Sequence, residues 1–239
     1  MHGVEEVRRG AERLRVGIWR GDDSIAYISP ITDRAPSAAM VHHACEVLAR
    51  RGFREVLTAA LAEPERAGFV AEGFEVRDSL HLLAHDLDGI PDAPPASLRR
   101  GRRRDRPAAL AADHAAFPPF WRLDDGGLRE ALTATPSARF RVATYHRAVT
   151  GYCVTGRAGR RGYLQRLAVR PDSQGRGMGR ALVADSLHWL ARHGVHDAVV
   201  NTQVENERAL QLYLGMGFRL QPSGLEVLGR TITEYQTTP

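Results

Sequence analysis

The sequence predicts a mixed α/β protein in which helices flank a central sheet. Segments with strand-like alternation and segments with helical spacing follow one another after residue 107, and a short glycine-rich segment joins a strand to a helix. A faint internal repeat indicates that part of this arrangement occurs twice. With 239 residues and 43% apolar composition, the chain can bury a sizeable core.

The pattern after Pro107 is orderly enough to place each element. Helical spacing is found in four segments, at 108–116, 124–133, 179–193 and 207–214. Strand-like patterns are found in six, at 139–145, 148–155, 162–169, 197–202, 225–228 and 231–235. The first two strands form a hairpin that turns near His146 and Arg147, and Gly194 ends the helix at 179–193.

The first part of the chain contains a faint copy of the second. Residues 49–52 align with 191–194, and 63–67 align with 205–209, each pair 142 positions apart. After a two-residue gap, Gly73-Phe74 aligns with Gly217-Phe218. The shared order of helix, glycine, strand, helix and Gly-Phe favours a tandem repeat.

These observations predict three regions. Residues 1–88 form the degenerate first copy, which is truncated because too few residues precede Val16 for the early helices and strands. Residues 89–106 form a linker rich in proline and arginine, or an arm that contacts phosphates. Residues 107–239 form the complete domain. The arginines of the linker are Arg99, Arg100, Arg102, Arg103, Arg104 and Arg106.

Composition excludes several classes of protein. All 33 basic residues are arginine, and the formal net charge of +5 is compatible with an anionic ligand. Cys45 and Cys153 are too few for a disulfide framework or a four-cysteine zinc site, so no metal is expected. No apolar stretch is long enough to cross a membrane, and no signal sequence opens the chain, so we expect a cytoplasmic protein.

The glycine-rich segment is the best clue to function. Its residues are Gln174, Gly175, Arg176, Gly177, Met178 and Gly179. Alternating glycines let a ligand approach backbone N–H groups, and at the start of a helix these groups favour a phosphate or pyrophosphate. The spacing does not fit a dinucleotide fingerprint, and Arg180-Ala181 replaces the Lys-Ser/Thr of a P-loop.

Together with its flanking segments, this region resembles the GNAT superfamily of acyl-CoA-dependent N-acyltransferases. Residues 164–171 look like that family's central strand, and 174–179 look like its Q/R-x-x-G-x-G/A loop. Asn206, Tyr213 and Gly217-Phe218 resemble its next element. The resemblance covers about 107–235 and implies the GNAT fold, in which the central strand is splayed from its neighbour.

The resemblance also implies roles for residues. The loop from Gln174 to Arg180 would hold the pyrophosphate of acetyl-CoA. The backbone of Leu167, Ala168 and Val169 would pair with the pantetheine arm, as would the side chain of Asn206 unless it only caps a helix. Tyr213 would protonate the departing thiolate, the alternative being a tyrosine that only packs.

The general base and the acceptor stay open. Asn201 stands where some relatives carry a glutamate, so Glu205, His146, Tyr163 and a water relay are alternatives. The acceptor pocket would include Phe117, Phe120, Trp121 and Gln165, although the aromatic residues equally fit a hydrophobic anchor. The amine could belong to a small molecule, a peptide or a protein, and a homodimer is one option for assembly.

The first copy lacks the loop. Counting back 142 residues reaches Pro30 to Ser37, which contains no glycine, and Phe69 stands opposite Tyr213. Only the second copy should therefore bind acetyl-CoA and act as an N-acetyltransferase. The alternatives are a non-catalytic acyl-CoA sensor and, with less support, nucleic-acid binding through the arginines.

Overall fold

The computed structural model describes residues 5–31 and 34–232, and the chain divides into two compact units. Unit 1 comprises residues 1–81 and 222–239, and unit 2 comprises residues 82–221. The strands are β1 (Glu5–Arg9), β2 (Glu12–Trp19), β3 (Asp22–Pro30), β4 (Glu55–Leu61), β5 (Glu75–His85), β6 (Ser97–Arg100), β7 (Ser137–Tyr145), β8 (Ala148–Ala158), β9 (Arg161–Val169), β10 (Asp197–Gln203), β11 (Arg219–Leu220) and β12 (Leu225–Thr231). The helices are α1 (Ala38–Arg50), α2 (Ala67–Ala71), α3 (Arg106–Ala116), α4 (Asp125–Thr133), α5 (Met178–Arg192) and α6 (Glu207–Leu214).

Unit 1 is a mixed sheet covered by α1. The strands β1, β2 and β3 are antiparallel, β3 pairs with β4 in parallel, and β12 pairs antiparallel with β4 and β5. Met40, Ala44 and Leu48 recur every four residues and Val41 lies beside them, so one face of α1 is apolar and buried. Ser37 caps this helix by accepting a hydrogen bond from the N–H of Met40.

Unit 2 contains a sheet of the same kind in the order β10-β9-β8-β7-β6. The β9–β10 pair is parallel and the other pairs are antiparallel. One face of α5 packs on the sheet through Val183, Leu187 and Leu190, which share a buried cluster with Leu164 of β9 and Val200 of β10. The central sheet flanked by helices agrees with the predicted fold class.

The two units repeat the same succession of elements. Three antiparallel strands, a helix, a parallel strand and a second helix occur as β1-β2-β3-α1-β4-α2 and as β7-β8-β9-α5-β10-α6. This order confirms the predicted tandem arrangement. The described part of unit 1 has no counterpart of α3 and α4, but it does have β1 and β2, so the expectation that early strands would also be missing is wrong.

The observed boundaries differ from the predicted regions of 1–88, 89–106 and 107–239. Residues 225–231 lie in unit 1, because β12 inserts between β4 and β5, and Arg66 forms an ion pair with Glu226. The predicted strand at 231–235 falls mostly outside the described residues. The local residue pattern cannot reveal this placement of β12, because it depends on pairing with strands that are distant in the sequence.

Residues 89–106 do not behave as a linker within unit 2. Ile90 and Ala93 pack against the buried cluster under α5, and β6 pairs with β7. Arg99 makes a bidentate ion pair with Asp105, which lowers the pKa of that carboxyl to about 2. The segment that its proline and arginine content predicts to be extended therefore contains an edge strand, β6, and the start of α3.

Three further features concern the described residues. Cys45 and Cys153 are buried free thiols. No helix in this part of the chain is long and apolar enough to cross a membrane. A group of three or more His, Cys, Asp or Glu side chains able to hold a metal ion is also not found there.

We expect Gly68→Ala to destabilise unit 1. A Cβ atom at Gly68 would lie 2.1 Å from the carbonyl oxygen of Pro36, and a backbone atom cannot move away cheaply. The loss in the free energy of unfolding should be about 1–3 kcal/mol, measured by urea denaturation. The matched control is Gly17→Ala, whose Cβ would meet nothing within 4 Å. Equal stability of both variants would contradict the prediction.

Candidate functional site

The glycine-rich loop adopts a conformation that requires glycine. Gly175 and Gly177 both have a φ of 77°, in the left-handed region that side chains disfavour. Gly177 is the N-cap of α5, and no side chain caps this helix. The loop therefore leads into α5 through two left-handed glycines, and the helix begins without a capping side chain.

The backbone N–H groups of this loop are available. The first backbone hydrogen bond at the start of α5 joins the N–H of Ala181 to the carbonyl of Gly177. Within the described part of the chain, the N–H groups of residues 175–180 donate to no other residue. Unpaired N–H groups at the positive end of a helix are a favourable environment for phosphate oxygens.

The side chains of the loop are held by other contacts. Gln174 donates a 2.8 Å hydrogen bond to the carbonyl of Val169, which fixes the loop to the end of β9. Arg180 donates to the carbonyl of Gly215, and the Met178 sulfur accepts a hydrogen bond from Thr150. The guanidinium of Arg176 lies 4.5 Å from the ring centre of Tyr145. Backbone groups are thus the main feature that this loop offers to a ligand.

The strand before the loop separates from its parallel neighbour. β9 pairs with β10 only at Arg161, Gly162 and Tyr163, although both strands continue beyond this point. The β8–β9 register shifts between Val154 and Thr155, so that Gln165 forms a bulge. The predicted splay is present, and in the described residues the backbone of Leu167 and Ala168 is not paired with β10.

Tyr213 lies on α6 in the cluster between the helices and the sheet. Its ring is buried and makes an edge contact with Phe218 at 5.5 Å. Burial raises the pKa of its phenol well above 10.0, and the nearby Cys153 thiol raises it further. No described residue forms a hydrogen bond with its hydroxyl group. The phenol is a neutral proton donor with its hydrogen-bonding capacity unused.

Asn206 performs the capping role that was one of its two alternatives. Its Oδ1 accepts a 3.1 Å hydrogen bond from the N–H of Ala209 at the start of α6. The cap uses the oxygen and leaves the two N–H donors of the amide, so a contact of Asn206 with a ligand stays a prediction.

The candidate bases lie in different surroundings. Glu205 is exposed in the turn before α6, and Asn201 is exposed on β10. Tyr163 is half-buried on β9, whereas His146 contacts the ring of Tyr145 at the β7–β8 turn. None of these side chains has a geometry that distinguishes it as the base.

A buried ion pair that the sequence did not indicate ties β9 to α3. Arg166 of β9 donates through Nε and Nη2 to both carboxylate oxygens of Asp113, at 2.7 and 2.8 Å. The same carboxylate accepts hydrogen bonds from the hydroxyl of Tyr152 at 2.7 Å and from the N–H of Leu123 at 2.9 Å. Asp113 is fully buried, so every one of these donors compensates its desolvation.

The predicted acceptor residues lie around this ion pair. The guanidinium of Arg166 lies 3.5 Å from the ring centre of Phe117, and its Nη2 donates to the carbonyl of Trp121. Trp121 is buried and Phe120 is 37% exposed, so the segment combines an anchor with an accessible ring. Arg166 therefore connects the aromatic segment with the strand that precedes the glycine loop.

Gln165 differs from the other predicted acceptor residues. Its amide nitrogen donates to the hydroxyl of Thr135, and a Cβ on Gly156 would lie 2.5 Å from that nitrogen. Its Oε1 is buried and has no partner among the described residues. The structure thus turns this side chain towards β8 and the end of α4.

Comparison with known proteins fits this geometry. Residues 107–218 match the model of the Acetyltransferase (GNAT) family. This part of the chain is therefore similar to GNAT acetyltransferases. The match lies within α3 to Phe218, and so includes β9, the glycine loop and Tyr213, but it extends over less than half of the chain.

Two curated relatives of the chain are mycothiol acetyltransferases. The mycothiol acetyltransferase of Frankia alni is 31% identical over 65% of this chain and 54% of that protein. The mycothiol acetyltransferase of Acidimicrobium ferrooxidans is 29% identical over 96% of this chain and 75% of that protein. The chain thus spans about half the length of the Frankia relative.

A solved structure shares the fold across both units. It is described as a tandem GNAT protein from the clavulanic acid biosynthesis pathway. The TM-score is 0.68 at 16% identity, over 94% of this chain and 81% of that chain. At this identity the likeness shows the fold and the tandem arrangement only.

We expect Asp113→Asn to cost about 3–5 kcal/mol in the free energy of unfolding, because Arg166 would lose its carboxylate while staying buried. Thermal or urea unfolding measures the effect. Asp125→Asn removes the carboxylate of an exposed pair with Arg129 and should cost less than about 1 kcal/mol. A loss at Asp113 no larger than this control would show that water or another group readily replaces the carboxylate.

Proposed function

We propose that the protein is an acetyl-CoA-dependent N-acetyltransferase that acts on a primary amine. The observation that carries this proposal is the unpaired backbone at residues 175–180, which continues from a strand that has separated from β10. The similarity of residues 107–218 to an acetyltransferase family supports the same activity. No metal is required for it.

The loop would bind the pyrophosphate of acetyl-CoA through its N–H groups. Residues 175–180 offer these donors at the start of α5, where the helix dipole also favours an anion. The adjacent backbone of Leu167, Ala168 and Val169 would pair with the pantetheine arm. The carbonyl of Val169 already accepts a hydrogen bond from Gln174, so Val169 would contact the arm through its N–H group.

The reaction would be a direct transfer. The amine nitrogen attacks the acetyl carbonyl carbon, a backbone N–H of β9 stabilises the developing oxyanion, and the carbon–sulfur bond breaks. Tyr213 gives its phenolic proton to the departing thiolate. The proton that the amine loses passes to Glu205 or to water, and Asn206 would help to hold the pantetheine arm.

The acceptor would be a small-molecule amine. The names of the Frankia and Acidimicrobium relatives refer to a small molecule, which supports this choice over a peptide or protein amine. The exposed ring of Phe120 beside Trp121 provides apolar surface near Arg166, and Phe117 completes this side. The side chain of Gln165 is turned towards Thr135, so this residue would shape the acceptor pocket mainly through its backbone in the bulge of β9.

Unit 1 would be a degenerate copy that does not bind acetyl-CoA. Its α1 is capped by Ser37, and Phe69 lacks the hydroxyl that Tyr213 supplies. The described residues of its loop before α1, which exclude 32 and 33, contain no glycine.

A non-catalytic acyl-CoA sensor is the second candidate. The observation that favours it is the exposed Asn201, an amide that cannot accept a proton, on the strand where some relatives carry a carboxylate. A sensor would bind acetyl-CoA without releasing its thiol. Release of the thiol across a panel of small amines, amino sugars and short peptides, with acetylated product detected by mass spectrometry, separates the two functions.

We expect Gly177→Glu to abolish binding of acetyl-CoA in isothermal titration. A Cβ at this position would lie 2.7 Å from Pro94, the φ of 77° is unfavourable for glutamate, and the new charge would repel phosphate. Gly159→Glu is the matched control, because Gly159 also has a positive φ of 55° but lies in the β8–β9 turn with open space around it. Equal binding by both variants would refute the role of the loop.

We expect Tyr213→Phe to lower kcat by about 100-fold, within the usual range for a positioned general acid, and to leave the Kd of acetyl-CoA nearly unchanged. Because its pKa is raised, the phenol stays protonated up to about pH 10, so this group should cause no alkaline loss of wild-type kcat below that value. Steady-state kinetics over this pH range provide the check. An unchanged kcat would leave Tyr213 with a packing role only.

A further inference from the structure

Arginine side chains gather on one face of the sheet in unit 2, the face that α5 covers. Arg139 and Arg141 are two residues apart on β7, so they share a face. Arg139 stands directly opposite Thr155 of β8, whose hydroxyl donates to Ser186 of α5. Arg157 follows Thr155 by two residues on the same strand. It is therefore the third arginine on this face and a diagonal neighbour of Arg139.

A fourth arginine lies at the rim of this group. Arg100 of the edge strand β6 stands directly opposite Arg141 in the antiparallel pair, and its side chain is exposed. Like charges that face each other across two strands repel, which destabilises the pair. The fold thus concentrates positive charge along the outer strands of this sheet.

Asp185 of α5 is the carboxylate that serves these arginines. Arg139 donates to both of its oxygens, at 3.1 and 2.9 Å, whereas Nε of Arg141 lies 3.2 Å from Oδ2 without the direction of a hydrogen bond. No other Asp or Glu of the described chain pairs with Arg100, Arg139, Arg141 or Arg157. Positive charge is therefore in excess here, although the side chains of Arg139, Arg141 and Asp185 are only 26%, 19% and 16% exposed.

The unused donors belong mainly to Arg141 and Arg157. In both side chains Nε is buried and has no hydrogen-bond partner among the described residues. The terminal guanidinium nitrogens of both also lack such a partner, but they are not buried. Partly buried cations without acceptor oxygens are costly, because water compensates their lost hydration only in part. An anion at the accessible ends of these side chains would supply the missing charge and acceptors.

We propose that Arg139, Arg141 and Arg157 form a binding site for a doubly charged phosphate group, either the free ion or a small phosphate monoester. Guanidinium groups hold phosphate oxygens through paired N–H bonds, and a dianion balances the excess charge better than a single carboxylate does. Asp185 would keep Arg139 in place beside the anion, and Arg100 would add positive potential at the rim.

This site is separate from the glycine loop and does not depend on the proposed acetyl transfer. Asp185 lies seven residues after Met178, the first residue of α5, which is about 10 Å along the helix. The arginines reach it from β7 and β8, whereas the unpaired N–H groups of the loop lie at the start of the helix.

The test measures binding of inorganic phosphate to the full chain by isothermal titration, with sodium chloride keeping the ionic strength constant. The wild type should bind with a Kd of about 1 mM or tighter, which two or more charge-assisted hydrogen bonds can provide. Arg157→Gln should weaken binding about tenfold, the effect of losing one such bond. Because Arg157 makes no ion pair with a described residue, this variant should fold normally, and thermal unfolding without phosphate verifies it.

The same titration with glycerol 3-phosphate distinguishes the two forms of the ligand. A lower Kd for glycerol 3-phosphate than for inorganic phosphate would identify a monoester, and the reverse would identify the free ion. Either result supports the site as long as Arg157→Gln weakens the tighter ligand.

Arg161→Gln is the matched control, because it removes the same charge four residues along the chain, where Arg161 pairs with Asp197. It should leave the Kd of phosphate unchanged, as should Gly177→Glu and saturation with acetyl-CoA. Phosphate binding that is lost in Gly177→Glu but kept in Arg157→Gln would place the ion at the glycine loop and overturn the inference. A lack of saturable binding, or equal weakening by Arg157→Gln and Arg161→Gln, would overturn it as well. Failure of acetyl-CoA to bind would count against the proposed function alone.

Discussion

The candidate site depends on backbone hydrogen bonds that the fold leaves unmade. β9 and β10 stay paired only over Arg161–Tyr163 and then separate, and α5 begins without a side-chain cap. Backbone N–H groups that lose water must find another partner, because leaving one unpaired costs free energy. Gly175 and Gly177 make this arrangement possible, since they hold the left-handed conformation without strain. The N–H groups of residues 175–180 are thus left for a ligand or for water.

A buried ion pair keeps this strand in place. Without β10 beside it, the second half of β9 has a sheet partner on one side only, and Arg166 adds a contact perpendicular to the sheet through Asp113. The desolvation of both charges is offset by the bidentate geometry and by the donors of Tyr152 and Leu123. Removing one partner would leave the other charge buried without compensation for its desolvation. The intact network holds the bulge of β9 and the aromatic segment together.

The sequence predicted those parts of the fold that depend on local pattern. The glycine loop, α5, the hairpin at His146 and Arg147 and the helix of Tyr213 were all predicted, because turn chemistry and helical spacing act over a few residues. Pairings between distant residues were not. Asp113 and Arg166 are 53 positions apart, and β12 joins strands more than 140 positions earlier. The arginine-rich segment was predicted as a linker for the same reason, because the pairing of β6 with β7 joins residues more than 40 positions apart. The ion pair of Arg99 with Asp105 is local, but proline and arginine content alone did not indicate it.

The two units show how one backbone can serve two purposes. In each, a helix follows the third strand, and the N–H groups of its first turn have no partner within the helix, so they favour an anion. Unit 1 satisfies this preference with Glu12 and Ser37, so its helix start is complete without a ligand. In unit 2 the first residue of β8 is Ala148, which has no carboxylate, and Gly175 and Gly177 precede α5 without capping it. The same preference of a helix start for an anion is therefore met by Glu12 within unit 1, whereas the N–H groups at the start of α5 are left for a ligand or for water.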